Sequence, residues 1–162
     1  MASEAKAHSY SIHVEWAGDQ GSGTSGHRAY LRDHIITAGS KPAIAGSSDP
    51  EFRGDAAMWN PEDLLVASIS ACHKLWYLHL SVDAGITVLA YVDDPVGRTV
   101  EDRTTSGRFT GVTLHPKVTI GFGDDRLIAM ELHRKAHRMC FIANSVNFPI
   151  TCQASIRNLG DE

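Results

Sequence analysis

A long apolar segment that begins at Asn60 constrains the fold of this chain more than any other feature. It reads NPEDLLVASISACHKLWYLHL. Asn60 is a favourable N-cap and Pro61 suits the first helical position. The carboxylates of Glu62 and Asp63 are favourable in the first turn, where they face the positive end of the helix dipole. Because Gly85 is a typical residue just beyond a helix end, we predict one helix that ends immediately before it.

Apolar residues occur on nearly every face of this predicted helix. They are Leu64, Leu65, Val66, Ile69, Leu75, Trp76, Leu78, Leu80 and Val82. A helix that is hydrophobic all round must be covered on all sides, and one small sheet covers only part of it. We therefore predict a homodimer in which this helix is central.

The segments on either side of the helix predict strands. In SYSIHVEW apolar and polar residues alternate, as in a half-buried strand, and HRAYLRDHII predicts a second strand that pairs with it as a hairpin. TVLAYVDDPVG and GRFTGVTLHPKVTIGF predict two further strand regions, with Pro116 at an edge or a bulge. FPITCQASI predicts a closing strand.

A second, amphipathic helix is predicted in DDRLIAMELHRKAHRMC. Its expected buried stripe consists of Leu127, Ile128, Met130, Leu132, Ala136 and Met139. Residues 38–58 are rich in Gly, Ser, Pro and Asp, and we expect a long loop there. The order of two strands, helix, two strands, helix and strand predicts a single domain over residues 1–162, of α+β class, with helices on a largely antiparallel sheet.

Composition excludes several classes of protein. The net charge is −4 and no block of Lys or Arg occurs, so neither nucleic acid nor an anionic membrane is an expected partner. The N-terminus lacks the apolar run of a signal peptide, and charges interrupt the only long apolar segment. Three cysteines do not form a disulfide framework. We therefore expect a cytoplasmic protein with reduced thiols.

The cysteines are open to two interpretations on their residue context alone. Cys72, in the middle of an apolar helix, is most simply a packed side chain, because burial without a nearby cation leaves a thiol inert. Cys140 lies near the cations Arg134 and Arg138, so a packed structural thiol and a reactive thiol are equally favoured interpretations. Cys152, in the closing strand, is expected to be structural.

His133 and His137 stand one helical turn apart, a spacing that can hold a metal. The zinc-protease motif requires a Glu after the first His, and here Arg134 occupies that position. A solvated basic face is therefore the favoured interpretation, and His73 and His79 are weaker candidates still. We predict no metal site and no cofactor.

The segment NPEDLLVASISAC, together with AHRMCFIANSVNFP, resembles the OsmC/Ohr family of osmotically induced and organic-hydroperoxide-resistance proteins. The resemblance extends from EWAG to PITCQASI, which is nearly the whole chain. It implies an intertwined α+β homodimer whose central helices are wrapped by sheets from both chains. It also implies thiol-dependent reduction of organic hydroperoxides or hydrogen peroxide.

Carried over residue by residue, the resemblance implies that Cys72 is the reactive cysteine and Cys140 the resolving one. The carboxylate of the Asn-Pro-Glu motif is Glu62. The family's arginine corresponds to Arg53 in the OsmC-type branch and to Arg28 in the Ohr-type branch, and we favour Arg53. An external dithiol, such as a lipoyl protein or another thiol donor, is expected to regenerate the thiols.

Two features set this chain apart and leave alternatives open. Phe141 follows Cys140 where many family members have proline, and CHKLWYLHL is more polar and aromatic than usual, which indicates a distinct OsmC-like branch.

Ten residues of helix span about 15 Å, so Glu62 must act through Arg53 or come from the partner subunit. A ligand-binding or redox-sensing protein without catalytic activity is the alternative function.

Overall fold

The computed structural model describes residues 6–102 and 106–161. The chain divides into two compact units, Met1–Asp63 and Leu64–Glu162, here called the N-terminal and the C-terminal unit. The first long helix begins in the last residues of the N-terminal unit and continues into the C-terminal one. Both units combine short strands with helical segments, so the α+β class is confirmed.

The N-terminal unit contains one antiparallel sheet in the order β1-β2-β3. Its strands are β1 (His13–Trp16), β2 (His34–Thr37) and β3 (Ile44–Gly46). The predicted hairpin is confirmed, since β1 and β2 pair in antiparallel register. The predicted long loop over residues 38–58 contains two short elements, β3 and a 3-10 helix at Pro50–Phe52.

The first long helix, α1 (Pro61–Asp83), has the predicted limits. The side-chain oxygen of Asn60 accepts a hydrogen bond of 2.7 Å from the N–H of Asp63, which caps the first turn. Gly85 adopts a φ of 70°, a left-handed conformation that favours glycine and ends the helix. Local chemistry at both ends therefore determines this element.

The C-terminal unit contains two three-stranded sheets, in the orders β4-β7-β9 and β5-β6-β8. Their strands are β4 (Val88–Asp93), β5 (Val96–Asp102), β6 (Ser106–Leu114), β7 (Pro116–Ile120), β8 (Ile150–Cys152) and β9 (Ser155–Asn158). β4 and β5 pair antiparallel with β7 and β6, whereas β8 and β9 pair parallel with β6 and β7. Across both units antiparallel pairs predominate, as predicted.

Each predicted strand region of this unit is in fact two strands. The chain changes sheet at His115, whose N–H donates a 2.7 Å hydrogen bond to Asp93. Pro116 therefore begins β7 and does not lie at an edge or bulge within one strand. The closing segment divides in the same way, so that β8 and β9 join different sheets. Sequence alternation does not detect such a change, because both halves have the same period.

The second helix, α2 (Arg126–Met139), is confirmed, but its predicted buried stripe was partly wrong. Leu132 and Ala136 are buried as expected, together with Ala129 and His133. Leu127 is 82% exposed, and Ile128, Met130 and Met139 are also exposed. The helix is therefore rotated relative to the prediction, so that Ala129 and His133 face the core in place of Ile128, Met130 and Met139.

One face of α1 packs into the core of the C-terminal unit. Its buried residues are Ile69, His73, Tyr77 and Ser81, which follow one another at intervals of four. Tyr77 belongs to a cluster with Ile120 and Leu132, and Ile69 to a second one. No helix among the described residues is long and apolar enough to cross a membrane.

Candidate active site

The fold brings Cys72 and Cys140 together although they are far apart in sequence. Cys72 lies on α1 and is half-buried. Cys140 follows α2 directly, and its N–H donates a 2.9 Å hydrogen bond to the carbonyl of Ala136. The thiol of Cys72 lies close enough to contribute to the raised pKa of the Cys140 thiol, so the two thiols are neighbours. The C-terminal unit alone therefore forms a two-thiol site.

The two thiols differ in exposure. Cys140 is fully buried, and burial, followed by the hydrogen bond with Cys72, raises the pKa of its thiol to about 11. Its sulfur also accepts a hydrogen bond of 3.4 Å from the N–H of Ala143. Cys140 is therefore a protonated thiol at neutral pH, whereas Cys72 is the more accessible of the pair.

Aromatic side chains flank the thiols. Trp76 lies one helical turn beyond Cys72, and Phe141 is the residue after Cys140. Their ring centroids are 6.1 Å apart, and Trp76 also contacts His79 edge to face at 5.7 Å. The residues that distinguish this sequence from many OsmC/Ohr proteins thus provide an apolar wall beside the thiols.

The predicted arginine, Arg53, lies in the N-terminal unit. It follows the 3-10 helix at Pro50–Phe52, is exposed, and adopts a φ of 67°. A side chain larger than that of glycine makes this left-handed conformation unfavourable by about 1–2 kcal/mol. The N–H of Arg53 bonds to the carbonyl of Pro50 at 3.0 Å. The following Gly54 has no room for a Cβ, which would lie 1.5 Å from the carbonyl oxygen of Ser48.

Glu62 and Arg28 are also exposed residues of the N-terminal unit. Glu62 lies in the first turn of α1. Within the described part of a single chain, no ion pair connects Glu62 with Arg53. The roles of these three residues stay predictions, and only the two cysteines are brought together.

A second cluster was missed by the sequence prediction. His73 on α1 and His133 on α2 are 1% and 3% exposed, and Nε2 of His73 lies 3.0 Å from Nδ1 of His133. The sulfur of Cys152 lies 3.9 Å from the same nitrogen of His73. His133 is therefore not part of a solvated basic face, and it pairs with His73 rather than with His137.

Burial dominates the electrostatics of this second cluster. It lowers the pKa of His73 to about 4 and the pKa of His133 to about 3, so both rings are neutral at pH 7. Burial likewise raises the pKa of Cys152 to about 11. Tyr77 stacks on His133 with ring centroids 4.1 Å apart. The interval of four residues between Ile69, His73 and Tyr77 was the sequence signal that could have revealed the burial of His73.

The fold and the thiol pair define a thiol protein of OsmC-like architecture. The sequence model of the family described as OsmC-like protein matches residues 54–155. This is more than half of the chain, and the protein belongs to the OsmC-like family. No curated protein gives a significant match to the sequence.

Solved structures agree with this family. An OsmC-like protein of unknown function from Vibrio cholerae is 25% identical, with a TM-score of 0.84 over 92% of this chain and 100% of that one. An organic hydroperoxide resistance protein from Legionella pneumophila is 18% identical, with a TM-score of 0.64 over 91% and 96%. The organic hydroperoxide resistance protein OhrB of Bacillus subtilis is 19% identical, with a TM-score of 0.62 over 93% and 98%. The latter two establish similarity of fold.

Proposed function

We propose that the protein is a thiol peroxidase that reduces organic hydroperoxides through Cys72 and Cys140. The single observation that carries this proposal is the adjacency of the two thiols, which come from α1 and from the end of α2. Family membership supports it, because proteins named for organic hydroperoxide resistance share the fold. The apolar wall of Trp76 and Phe141 suits an alkyl hydroperoxide better than a strongly hydrated substrate.

The proposed reaction has three steps. The thiolate of Cys72 attacks the outer oxygen of the hydroperoxide, the O–O bond breaks, and an alcohol leaves after it takes up a proton. Cys72 is then a sulfenic acid. The thiol of Cys140 attacks this sulfur, its proton passes to the departing hydroxide so that water leaves, and a disulfide forms. An external dithiol reduces the disulfide by two exchange steps and is itself oxidised.

The exposures of the two thiols favour this division of roles. Cys72, the less buried thiol, is open to substrate, whereas Cys140 is fully buried beside it. A buried thiol with a pKa of about 11 is a poor direct nucleophile toward solutes at neutral pH. It is nevertheless well placed to attack a neighbouring sulfur, because the attack is intramolecular.

Arg53 and Glu62 are proposed to support the reactive thiol on the basis of the resemblance. A guanidinium close to a thiol favours the thiolate, and a carboxylate can orient that guanidinium in a bidentate pair. An unfavourable backbone conformation such as that of Arg53 is typical of functional residues. Because Glu62 precedes Cys72 by about 15 Å of helix, we propose that Glu62 acts from the partner subunit.

The first test is turnover. Purified protein is expected to consume cumene hydroperoxide or tert-butyl hydroperoxide in the presence of dithiothreitol or dihydrolipoamide, and Cys72→Ser is expected to abolish consumption. Residual hydroperoxide is measured by ferrous oxidation, and Ser68→Ala, elsewhere on the same helix, serves as the control variant. Absence of consumption with every dithiol, and no effect of Cys72→Ser, would instead favour a ligand-binding or redox-sensing protein.

The exposed apolar residues of α1 support the proposed homodimer. Leu75 is 62% exposed and Val82 is 77% exposed, so a single chain leaves much of this helix uncovered. A second copy of the chain buries these side chains, and it brings a second Glu62 into the assembly.

We expect the wild-type protein to have twice the monomer mass by light scattering. Leu75→Lys is expected to shift the mass toward that of a monomer, because an ammonium group at a buried contact is unfavourable, whereas Leu75→Met is expected to preserve the dimer. A monomeric wild-type protein at micromolar concentration would contradict the proposal.

A further inference from the structure

The cluster of His73, His133 and Cys152 consists of side chains that bind transition metals, and the proposed peroxidase chemistry does not use it. The three residues come from α1, α2 and β8, so that only the folded C-terminal unit assembles them. Their donor atoms lie within 4.8 Å of one another. We propose that Nε2 of His73, Nδ1 of His133 and Sγ of Cys152 bind one zinc(II) ion.

The positions of the donor atoms are close to those of a tetrahedral zinc site. Bond lengths to zinc place two imidazole nitrogens about 3.3 Å apart, and a nitrogen and a thiolate sulfur about 3.6 Å apart. The corresponding distances here are 3.0 Å between the nitrogens of His73 and His133 and 3.9 Å from His73 to the sulfur of Cys152. The two rings meet edge to edge with an interplanar angle of 5°. The donor nitrogen of His133 and the sulfur of Cys152 lie within 4.8 Å of each other. Zinc therefore requires shifts of up to about 1 Å and a rotation of each ring by about 35°, which turns both facing lone pairs toward one point.

Burial leaves the two imidazoles with fewer partners than buried polar groups normally have. Among the described residues, neither Nδ1 of His73 nor Nε2 of His133 has a hydrogen-bond partner. The hydrogen bond between the rings uses the two facing nitrogens, which are the atoms proposed to bind zinc, so the metal would replace this bond and leave the outer nitrogens as they are. A neutral imidazole offers a metal one lone pair, on the ring nitrogen that carries no hydrogen. With zinc bound, the facing nitrogens are unprotonated and the outer ones carry the hydrogens.

The charges of the cluster also favour zinc. Binding is a ligand exchange without oxidation or reduction, in which zinc loses bound water and the thiol of Cys152 releases its proton to solvent. Two neutral imidazoles and one thiolate leave a net charge of +1. Asp93 lies close enough to act electrostatically on both His73 and Cys152, and its carboxylate balances that charge. Its oxygens are held by the Ser70 hydroxyl at 2.5 Å and the His115 N–H at 2.7 Å.

A cavity provides an entry path to the cluster. It has a volume of about 480 Å³ and is lined by His133 and Cys152, with Ile150, Arg134 and Arg138 among its other walls. Three protein ligands leave one tetrahedral position for water or a small anion. Arg138 favours an anion near that position, whereas Arg134 is paired at 2.7 Å with Glu131, which also lines the cavity.

The proposal is tested with zinc(II) and cobalt(II) as probes. After loading with zinc and dialysis against metal-free buffer, the full chain is expected to retain about one zinc per chain by elemental analysis. Cobalt(II) is expected to give the intense visible bands of a tetrahedral site and a thiolate-to-cobalt absorption in the near ultraviolet. Because loss of an outer partner alone lowers metal affinity about 10–100-fold, Cys152→Ser and His133→Gln are expected to lower it about 100-fold or more.

Two control variants separate this site from the other candidate ligands. Cys72→Ser combined with Cys140→Ser is expected to keep the thiolate band, which assigns the band to Cys152. His137→Gln is expected to bind zinc as the wild type does, although His137 lies one turn from His133. Absence of retained zinc, a cobalt spectrum without the thiolate band, or loss of the band in the double cysteine variant would overturn the proposal. The cobalt spectra of the wild type and the double variant decide the question even if Cys152→Ser does not fold.

Discussion

Replacement of Cys140 by serine is expected to limit the protein to about one hydroperoxide consumed per Cys72 before turnover nearly stops. The sulfenic acid on Cys72 then has no neighbouring thiol to attack it. Only an external dithiol can then react with the sulfenic acid. A thiol from solution reacts more slowly than one held next to the sulfur, so steady-state turnover is expected to fall on the order of 100-fold or more. Burst and steady-state consumption are separated by stopped-flow measurement, and whole-protein mass spectrometry detects the oxidised Cys72.

Two further variants make this prediction specific. Cys140→Ala is expected to behave as Cys140→Ser does, which excludes an effect of the buried hydroxyl. Cys72→Ser is expected to lose the burst as well as the turnover, because it removes the attacking thiol. Circular dichroism and the unfolding midpoint of each variant establish that the fold is retained. Equal steady-state rates for Cys140→Ser and the wild type would mean that Cys140 is not the resolving cysteine.

Features determined by local chemistry were predictable from the sequence. The limits of α1 follow from the side-chain cap at Asn60 and the left-handed Gly85. The pairing of β1 with β2 follows from alternation and the glycine-rich turn between them. The adjacency of Cys72 and Cys140 could not be derived from spacing, because they lie on separate elements. It was inferred only from resemblance to a family.

Features determined by contacts between distant segments were not predictable. The change of sheet at His115 depends on a hydrogen bond to Asp93, which is 22 residues away. The burial of His133 depends on how α2 is rotated against α1, and the neighbouring sequence HRKAHR gives the appearance of a solvated face. The ring of His73 on α1 meets that of His133 on α2, and Tyr77 stacks on His133. These contacts exist only after the helices pack.

The rotation of α2 leads to a large expected effect on stability. Leu132→Ala is expected to lower the free energy of unfolding by about 2–5 kcal/mol. Leu132 is 2% exposed and packs in one cluster with Tyr77 and Ile120, so the truncation leaves a cavity that close-packed neighbours fill only in part. Urea unfolding followed by circular dichroism measures the change. Equal dependence of the unfolding free energy on urea concentration establishes that the wild type and Leu132→Ala unfold in the same way.

Leu127→Ala is the matched control, because it makes the same chemical change on the same helix. The sequence places both leucines in one apolar stripe, whereas in the structure Leu127 is 82% exposed. Its truncation removes little packing, and a change within about 0.5 kcal/mol is expected. Unfolding is compared at two protein concentrations, so that any contribution of Leu127 to subunit contact appears as a concentration-dependent midpoint. Equal losses for both variants, independent of concentration, would contradict the rotation of α2 that buries His133 and brings it to His73.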